Sequence, residues 1–252
     1  MENKRFLKVF ENQSAYESQK DEVMGMPHVV LLEDTKEVVF ASNKVTPSDP
    51  FNGFEYVDLG LPSGTLWATK PIMNAEGEVL YFQWGDTEGW TAEQVENGEK
   101  SFAWDCSDYK WNDGEFACDG SSMTKYNATD GKTVLDLEDD AAHVHMGGDW
   151  HMPTKEQFEE LTANTTSTWT TKNGVQGRLF TASNGNALFV PAFGCVYDGD
   201  VSSVGSDGYV WGSSVDEEYL DYAWYLYFSS SRVYVDFNAR IYGHSVLGVV
   251  GK

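Results

Sequence analysis

Positive charge is scarce in this sequence. Its 17 lysines and arginines stand against 40 aspartates and glutamates, for a formal net charge of −23. Phosphate recognition needs clustered Lys and Arg, so this balance argues against a nucleic-acid partner. It argues equally against docking to an anionic lipid surface. Long apolar runs are also missing. The longest, around Val29 to Leu32 and Phe189 to Phe193, fall far short of the roughly 20 residues a spanning helix needs, so no membrane insertion is expected. Met1-Glu2-Asn3-Lys4-Arg5 carries a little positive charge, but no apolar run of leader length follows it, so no secretory signal is expected.

Catalytic patterns are absent as well. Gly-x-Ser-x-Gly, His-Glu-x-x-His and phosphate-loop signatures do not occur. His143 and His145 are two apart, so on a helix they point to different faces and cannot chelate one metal; His151 has no ligand-spaced partner. Asp139 and Asp140, adjacent on a helix, diverge rather than forming an acid pair, and near a helix start they favour the macrodipole. No Asp-x-Asp-x-Asp-Gly loop is present, so no cofactor is expected and calcium is only a minor alternative. Three cysteines, Cys106, Cys118 and Cys195, make no disulfide framework. Cys106 could pair with Cys118, but free thiols are the expectation in a chain this size.

Aromatics, by contrast, are abundant: 9 Trp, 13 Tyr and 14 Phe exclude a disordered chain despite its acidity. With 24 glycines and little helical periodicity, short strands joined by turns are favoured. The final stretch from Tyr209 interleaves two kinds of residue. Trp211, Ala223, Leu226, Phe228, Val233, Val235, Val246 and Val249 fall where strands need inward apolar side chains. Between them sits a set rich in Tyr, Ser, Asn and Arg, the residues that recognition surfaces favour because they give large contact area with few rotatable bonds. Tyr is also common in ordinary strands, so composition alone leaves the binding reading open.

The same stretch resembles the end of the C-type-lectin-like domains known as the Fibrobacter succinogenes major paralogous domain. The matching pieces are Trp211-Gly212-Ser213-Ser214, Ala223-Trp224-Tyr225-Leu226-Tyr227-Phe228, the turn Ser229-Ser230-Ser231, Val233, and Arg240-Ile241-Tyr242-Gly243-His244-Ser245-Val246. Leu247 replaces the family's usual Arg. Upstream, the resemblance includes the run from Tyr56 to Thr69, Phe82-Gln83-Trp84-Gly85-Asp86-Thr87, Asp139-Asp140-Ala141-Ala142, Gly147-Gly148-Asp149-Trp150-His151-Met152-Pro153-Thr154, and Leu188-Phe189-Val190-Pro191-Ala192. These ordered matches cover about residues 54–250.

The resemblance implies an α+β, C-type-lectin-like domain over residues 53–252, preceded by a linker at 46–52 that contains Pro47 and Pro50. In this fold the terminal strands usually lie side by side, which would pair Tyr56–Leu59 with Ser245–Val250. Trp67, Trp84, Trp150, Phe189 and Trp211 should be core. Two helices are expected. One runs from about Asp136 to Met146 and is stopped by Gly147-Gly148; the other starts at Thr154, is capped with Gln157, and buries Phe158 and Leu161. Asn173-Gly174 and Asn184-Gly185 are hairpin signals. Residues 1–45 read as a separate β-α-β-β module, similar to small N-terminal units of gut bacteriophage structural proteins. It has a strand at Phe6–Phe10, a helix capped at Ser14 and Glu17, and a hairpin over 28–40.

The function that follows is a non-enzymatic binder on a bacteriophage particle. Residues 1–45 would join other virion structural proteins and hold a homotrimer, whose avidity compensates for weak single sites. The ligand would be a host-surface glycan or protein. The site is expected as one exposed patch of Trp224, Tyr225, Tyr227, Arg232, Tyr234, Asp236, Asn238, Arg240, Tyr242 and His244; Trp224 shares its parity with inward Leu226. Retroelement-diversified proteins of the major tropism determinant type place their variable residues at this end of the fold. The alternatives are a purely structural capsid or fibre decoration and a bacterial surface lectin-like protein. Formylglycine-generating oxidases share the scaffold but use paired cysteines near the C-terminus, and here no cysteine follows Cys195.

Overall fold

The computed structural model describes residues 6–10, 28–32, 37–41, 51–114 and 121–251. The chain divides into two compact units, Met1–Asp49 and Pro50–Lys252. In the first, β1 (Phe6–Phe10), β2 (His28–Leu32) and β3 (Glu37–Ala41) form one sheet in that order. β1 runs parallel to β2, and β2 antiparallel to β3. Their runs of Val, Leu and Phe suit a sheet. The helix expected after Ser14 lies outside the described residues.

Among the described residues strand outweighs helix, 37% against 12%, a β-rich composition with few helices. In the second unit β4 (Tyr56–Asp58) pairs with β5 (Leu66–Ala68), and β5 with β15 (Val249–Val250). The expected pairing of Tyr56–Leu59 with the C-terminal strand is therefore corrected. Leu66–Ala68 lies between them, because that all-buried strand needs a neighbour on both edges.

Three helices follow the capping chemistry of the sequence. α1 (Ala92–Glu96) and α3 (Lys155–Asn164) each start with a complete capping box, Thr91 with Gln94 and Thr154 with Gln157. α3 buries Phe158 and Leu161. The helix expected from Asp136 to Met146 is broken: Leu137–Asp139 forms a 3-10 turn and α2 spans Ala141–Met146. Asp140 makes the break. Its extended backbone frees the carboxylate to accept from the His143 N–H at 2.9 Å and from the Met152 N–H at 2.8 Å.

The strands β6 (Thr165–Lys172), β7 (Val175–Ala182) and β8 (Ala187–Pro191) form a meander. Asn173 and Gly174 both have positive φ and close its first hairpin as a two-residue turn. A short hairpin, β9 (Cys195–Tyr197) with β10 (Asp200–Ser202), comes next. The principal sheet, in order β13-β12-β11-β14, comprises Val233–Ala239, Tyr222–Ser229, Asp207–Val215 and Ser245–Val246.

Trp67, Trp84, Trp150 and Trp211 are all fully buried. Three of their indole N–H groups donate to carbonyls: Trp84 to Gly212 at 2.8 Å, Trp150 to Phe51 at 2.8 Å and Trp211 to Phe82 at 2.9 Å. Phe189, expected in the core, is only half-buried, because on β8 its neighbours Leu188 and Val190 take the inward parity. Cys106 is disulfide-bonded, which corrects the expectation of a free thiol there; Cys118 lies outside the described residues. Cys195 is free and buried.

Candidate functional site

The principal sheet has two unlike faces, set by period-two alternation. On one, Val210, Leu226 and Phe228 are buried in the main core, and α3 packs against β11, β12 and β13 on this unit. On the other, the register aligns Tyr209 with Tyr227, Tyr227 with Tyr234, Trp211 with Tyr225, and Tyr225 with Asp236. The result is a continuous aromatic run. Tyr234 lies 4.7 Å from Tyr227, Tyr227 5.3 Å from Tyr209, and Tyr209 5.8 Å from Tyr225 in a stacked pair. The run continues through His244, stacked on Trp211 at 4.0 Å, to Tyr242 and then to Tyr197, stacked on Tyr242 at 4.3 Å.

Burial grades along this run. Tyr234 and Tyr197 at its ends are 38% and 37% exposed, and Tyr209, Tyr227 and Tyr242 are half-buried. The centre is closed. Tyr225 is 7% exposed and His244 0%. Of the ten residues expected to form one exposed patch, Arg232 and Tyr234 are exposed; Tyr227, Asp236, Asn238 and Tyr242 are half-buried on or beside this face.

Four need correction. Tyr225 has the expected parity but is covered by Tyr209, Trp211 and His244. His244 is sealed because its backbone bridges Phe82 and its ring lies on Trp211, and burial drives its pKa well below the usual histidine value. Arg240 is 1% exposed and turns inward. Its guanidinium donates to the carbonyls of Lys125 at 3.2 Å and Tyr126 at 2.7 Å and lies 4.6 Å over the Trp84 ring. Trp224 stands on the opposite face, opposite Phe237 in register, with the Lys155 ammonium 3.6 Å over its ring.

The sequence reading missed Tyr209 and Asp207 as members of this face. The signal was there, since Asp207, Tyr209 and Trp211 follow the same alternation. Tyr197 had no local signal, because it arrives from another hairpin. Asp207 accepts the Tyr227 hydroxyl at 2.5 Å, and Tyr227's pKa is raised first by burial and then by that bond. Burial, followed by Asp236 and neighbouring tyrosines, pushes Tyr225 far up; burial, followed by the Cys195 thiol, Asp207 and neighbouring tyrosines, does so for Tyr209. Tyr209, Tyr225 and Tyr227 therefore stay neutral at physiological pH, and the Tyr227 hydroxyl serves as a hydrogen-bond donor.

Elsewhere, three carboxylates, Asp136, Glu138 and Asp139, bring oxygens within 4.8 Å of one another. The Lys125 ammonium lies among them, 3.0 Å from Asp136 and 3.2 Å from Glu138, with a still shorter contact to Asp139. Lys110 adds 3.0 Å to Asp139, and Lys132 adds 2.5 Å to Asp136. Where an ion would sit, the chain supplies its own cation. Each histidine of the 143–151 region has a ring nitrogen on a carbonyl: His143 on Trp150, His145 on Thr87 and His151 on Met152.

This carboxylate network sets a pH dependence. Burial raises the pKa of Asp139, but hydrogen bonds from Lys125, Tyr126 and Lys110 outweigh it and hold the carboxyl below its usual value. A depressed folded pKa contributes stability above the unfolded value and loses it as pH falls through the folded one. Asp140, pushed up by burial, works in the opposite sense. Asp139→Asn is expected to cost about 2 kcal/mol near neutrality, and the gap from wild type should close as pH is lowered to about 2. Urea titrations of both proteins over that range check this. A gap that persists unchanged at low pH would rule out the network's charge as its source.

Among the described residues, no helix is long and apolar enough to cross a membrane. No family model matches the chain, and neither a curated protein nor a solved structure matches it.

Proposed function

We propose that this chain is a non-enzymatic ligand-binding protein of the C-type-lectin-like kind. It is displayed on a bacteriophage particle, which it fixes through residues 1–45, and binds a host-surface glycan or protein with its C-terminal sheet. The observation that carries the reading is the tyrosine face. One side of the sheet β13-β12-β11 is packed on α3, whereas the other presents Tyr209, Tyr227, Tyr234, Asp236 and Asn238, with Tyr242 and Tyr197 alongside. Side chains of this type provide contact area at little entropic cost. A fold need not expose such a ladder for stability, since apolar area left in water contributes nothing to the core.

The remaining thiol supports the non-enzymatic reading. Cys195 is buried and its pKa is raised by that burial, opposite to the shift that activates a nucleophile.

Tyr234→Ala combined with Tyr242→Ala tests the proposal. Adsorption to host cells is expected to fall at least about tenfold, the effect of losing hot-spot aromatics. The melting temperature should move by only a few degrees, because neither ring is fully buried. Undiminished adsorption by a folded double variant would favour a capsid or fibre decoration instead.

A further inference from the structure

We propose that the tyrosine face takes a cationic side chain, a lysine or arginine presented by a basic segment of a partner protein. This rests on the reading of that face as a ligand site, and it narrows the ligand. Three carboxylates border the aromatic run. Asp236 lies opposite Tyr225 in the register and two residues from exposed Tyr234. Asp207 holds the Tyr227 hydroxyl at 2.5 Å. Asp200 lies opposite exposed Tyr197 on the β9–β10 hairpin, so both side chains are on one face of it.

Positive charge is withdrawn from the same surface. Arg240 points inward onto the carbonyls of Lys125 and Tyr126. Arg178 is used up at the hairpin end, donating to the Ser229 carbonyl at 2.7 Å and the Ser167 hydroxyl at 3.2 Å. His244 is sealed beneath the rings. Arg232, exposed in the β12–β13 turn, is the one lysine or arginine within the segment Tyr222–Ala239 that forms these two strands.

Aromatic faces carry a negative quadrupole that attracts ammonium and guanidinium groups, and bordering carboxylates reinforce the attraction. The same arrangement repels carboxylated or phosphorylated ligands. The chain already uses this chemistry once on the reverse of β12. There Lys155 lies over the Trp224 ring, and Glu156, Asp216, Glu217 and Glu218 line the surrounding cleft of about 310 Å³. That ammonium comes from the chain itself. At the tyrosine face, the exposed rings of Tyr234 and Tyr197 are left for one from outside.

The test measures binding of a short Lys/Arg peptide, a neutral oligosaccharide and an acidic peptide to the full chain by calorimetry. Asp207→Asn with Asp236→Asn removes two face charges while keeping one acceptor oxygen at each position, enough for the Tyr227 hydroxyl at Asp207. Glu76→Gln with Glu159→Gln removes two exposed charges elsewhere. The basic peptide is expected to bind, to lose about tenfold in affinity with the face pair, and to lose less than about twofold with the remote pair. Tyr234→Ala should weaken it as well. Equal losses from both pairs would reduce the effect to bulk charge and overturn the proposal, as would failure of the basic peptide to bind. If the oligosaccharide binds instead, is lost in Tyr234→Ala and is kept in the face pair, the face remains a ligand site but its ligand is not cationic. If Tyr234→Ala changes no binding at all, the ligand-site reading itself falls.

Discussion

Replacing Arg240 with alanine is expected to destabilise the larger unit by about 4 kcal/mol, the sum of a cavity beside Trp84 and two carbonyls stripped of a charged donor. Those carbonyls, of Lys125 and Tyr126, are held by Arg240 across more than a hundred residues of chain. Tyr126 is itself fully buried and stacks edge-on against Trp84 at 5.3 Å, so its loop loses its tether when the guanidinium goes. Arg240→Met separates the contributions. It refills most of the volume but offers no donor, and relief of guanidinium desolvation offsets part of the loss, so about 2 kcal/mol is expected. Urea unfolding followed by tryptophan fluorescence reads both. If Arg240→Ala costs under about 1 kcal/mol yet abolishes ligand binding, the arginine contacts ligand and its inward placement is wrong.

Gly194→Ala should be at least as damaging, at about 4 kcal/mol or more, and should also disable the face. Gly194 has φ +67°, a conformation that L side chains rarely adopt, and an added Cβ would lie 1.9 Å from the Ser202 carbonyl oxygen. Backbone cannot step aside as a flexible side chain can. The glycine bridges Gly208 on β11, and its N–H donates to the Asp207 carbonyl at 2.9 Å. Gly208 is tight in its own way, since a Cβ there would lie 2.0 Å from the Phe228 ring. Gly194 thus sits tight against the end of its own hairpin at Ser202, and its backbone bridge to Gly208 ties the hairpin bearing Tyr197 and Asp200 to β11 at the tyrosine face. Gly199→Ala, with positive φ but nothing within 4 Å of an added Cβ, is the control and should cost about 1 kcal/mol. Equal melting temperatures for the two variants would refute the close-approach argument.

Much of the fold was legible because its signals are short. The Thr154/Gln157 capping box lies within one turn and placed α3 correctly; Thr91/Gln94 carries the same signal and marks α1, which the reading overlooked. Asn173-Gly174 closes a hairpin because its two residues accept positive φ. Trp67, Trp84, Trp150 and Trp211 are buried because indoles of that size need a core, and three of them, Trp84, Trp150 and Trp211, find carbonyls within it. The helix from Asp136 failed for a long-range reason. The Asp140 carboxylate is claimed by Met152, and no local pattern announces that bond.

The candidate site divides along the same line. Alternation by itself determined which side chains of β12 and β13 share a face, with Tyr227 and Tyr234 on one and Leu226 and Val235 on the other; that these stand directly opposite each other came from the register of the folded sheet. It could not determine whether that face is covered. The tertiary structure decided this by laying His244 on Trp211 over Tyr225, by drawing Arg240 inward to the loop at Lys125 and Tyr126, and by bringing Tyr197 to Tyr242 from a separate hairpin. Strand parity is fixed by the covalent geometry of neighbouring residues. Burial depends on whatever segment packs above: for Arg240 the loop at Lys125 and Tyr126, more than a hundred residues away along the chain, and for His244 both distant Phe82 and the rings of Trp211 and Tyr225.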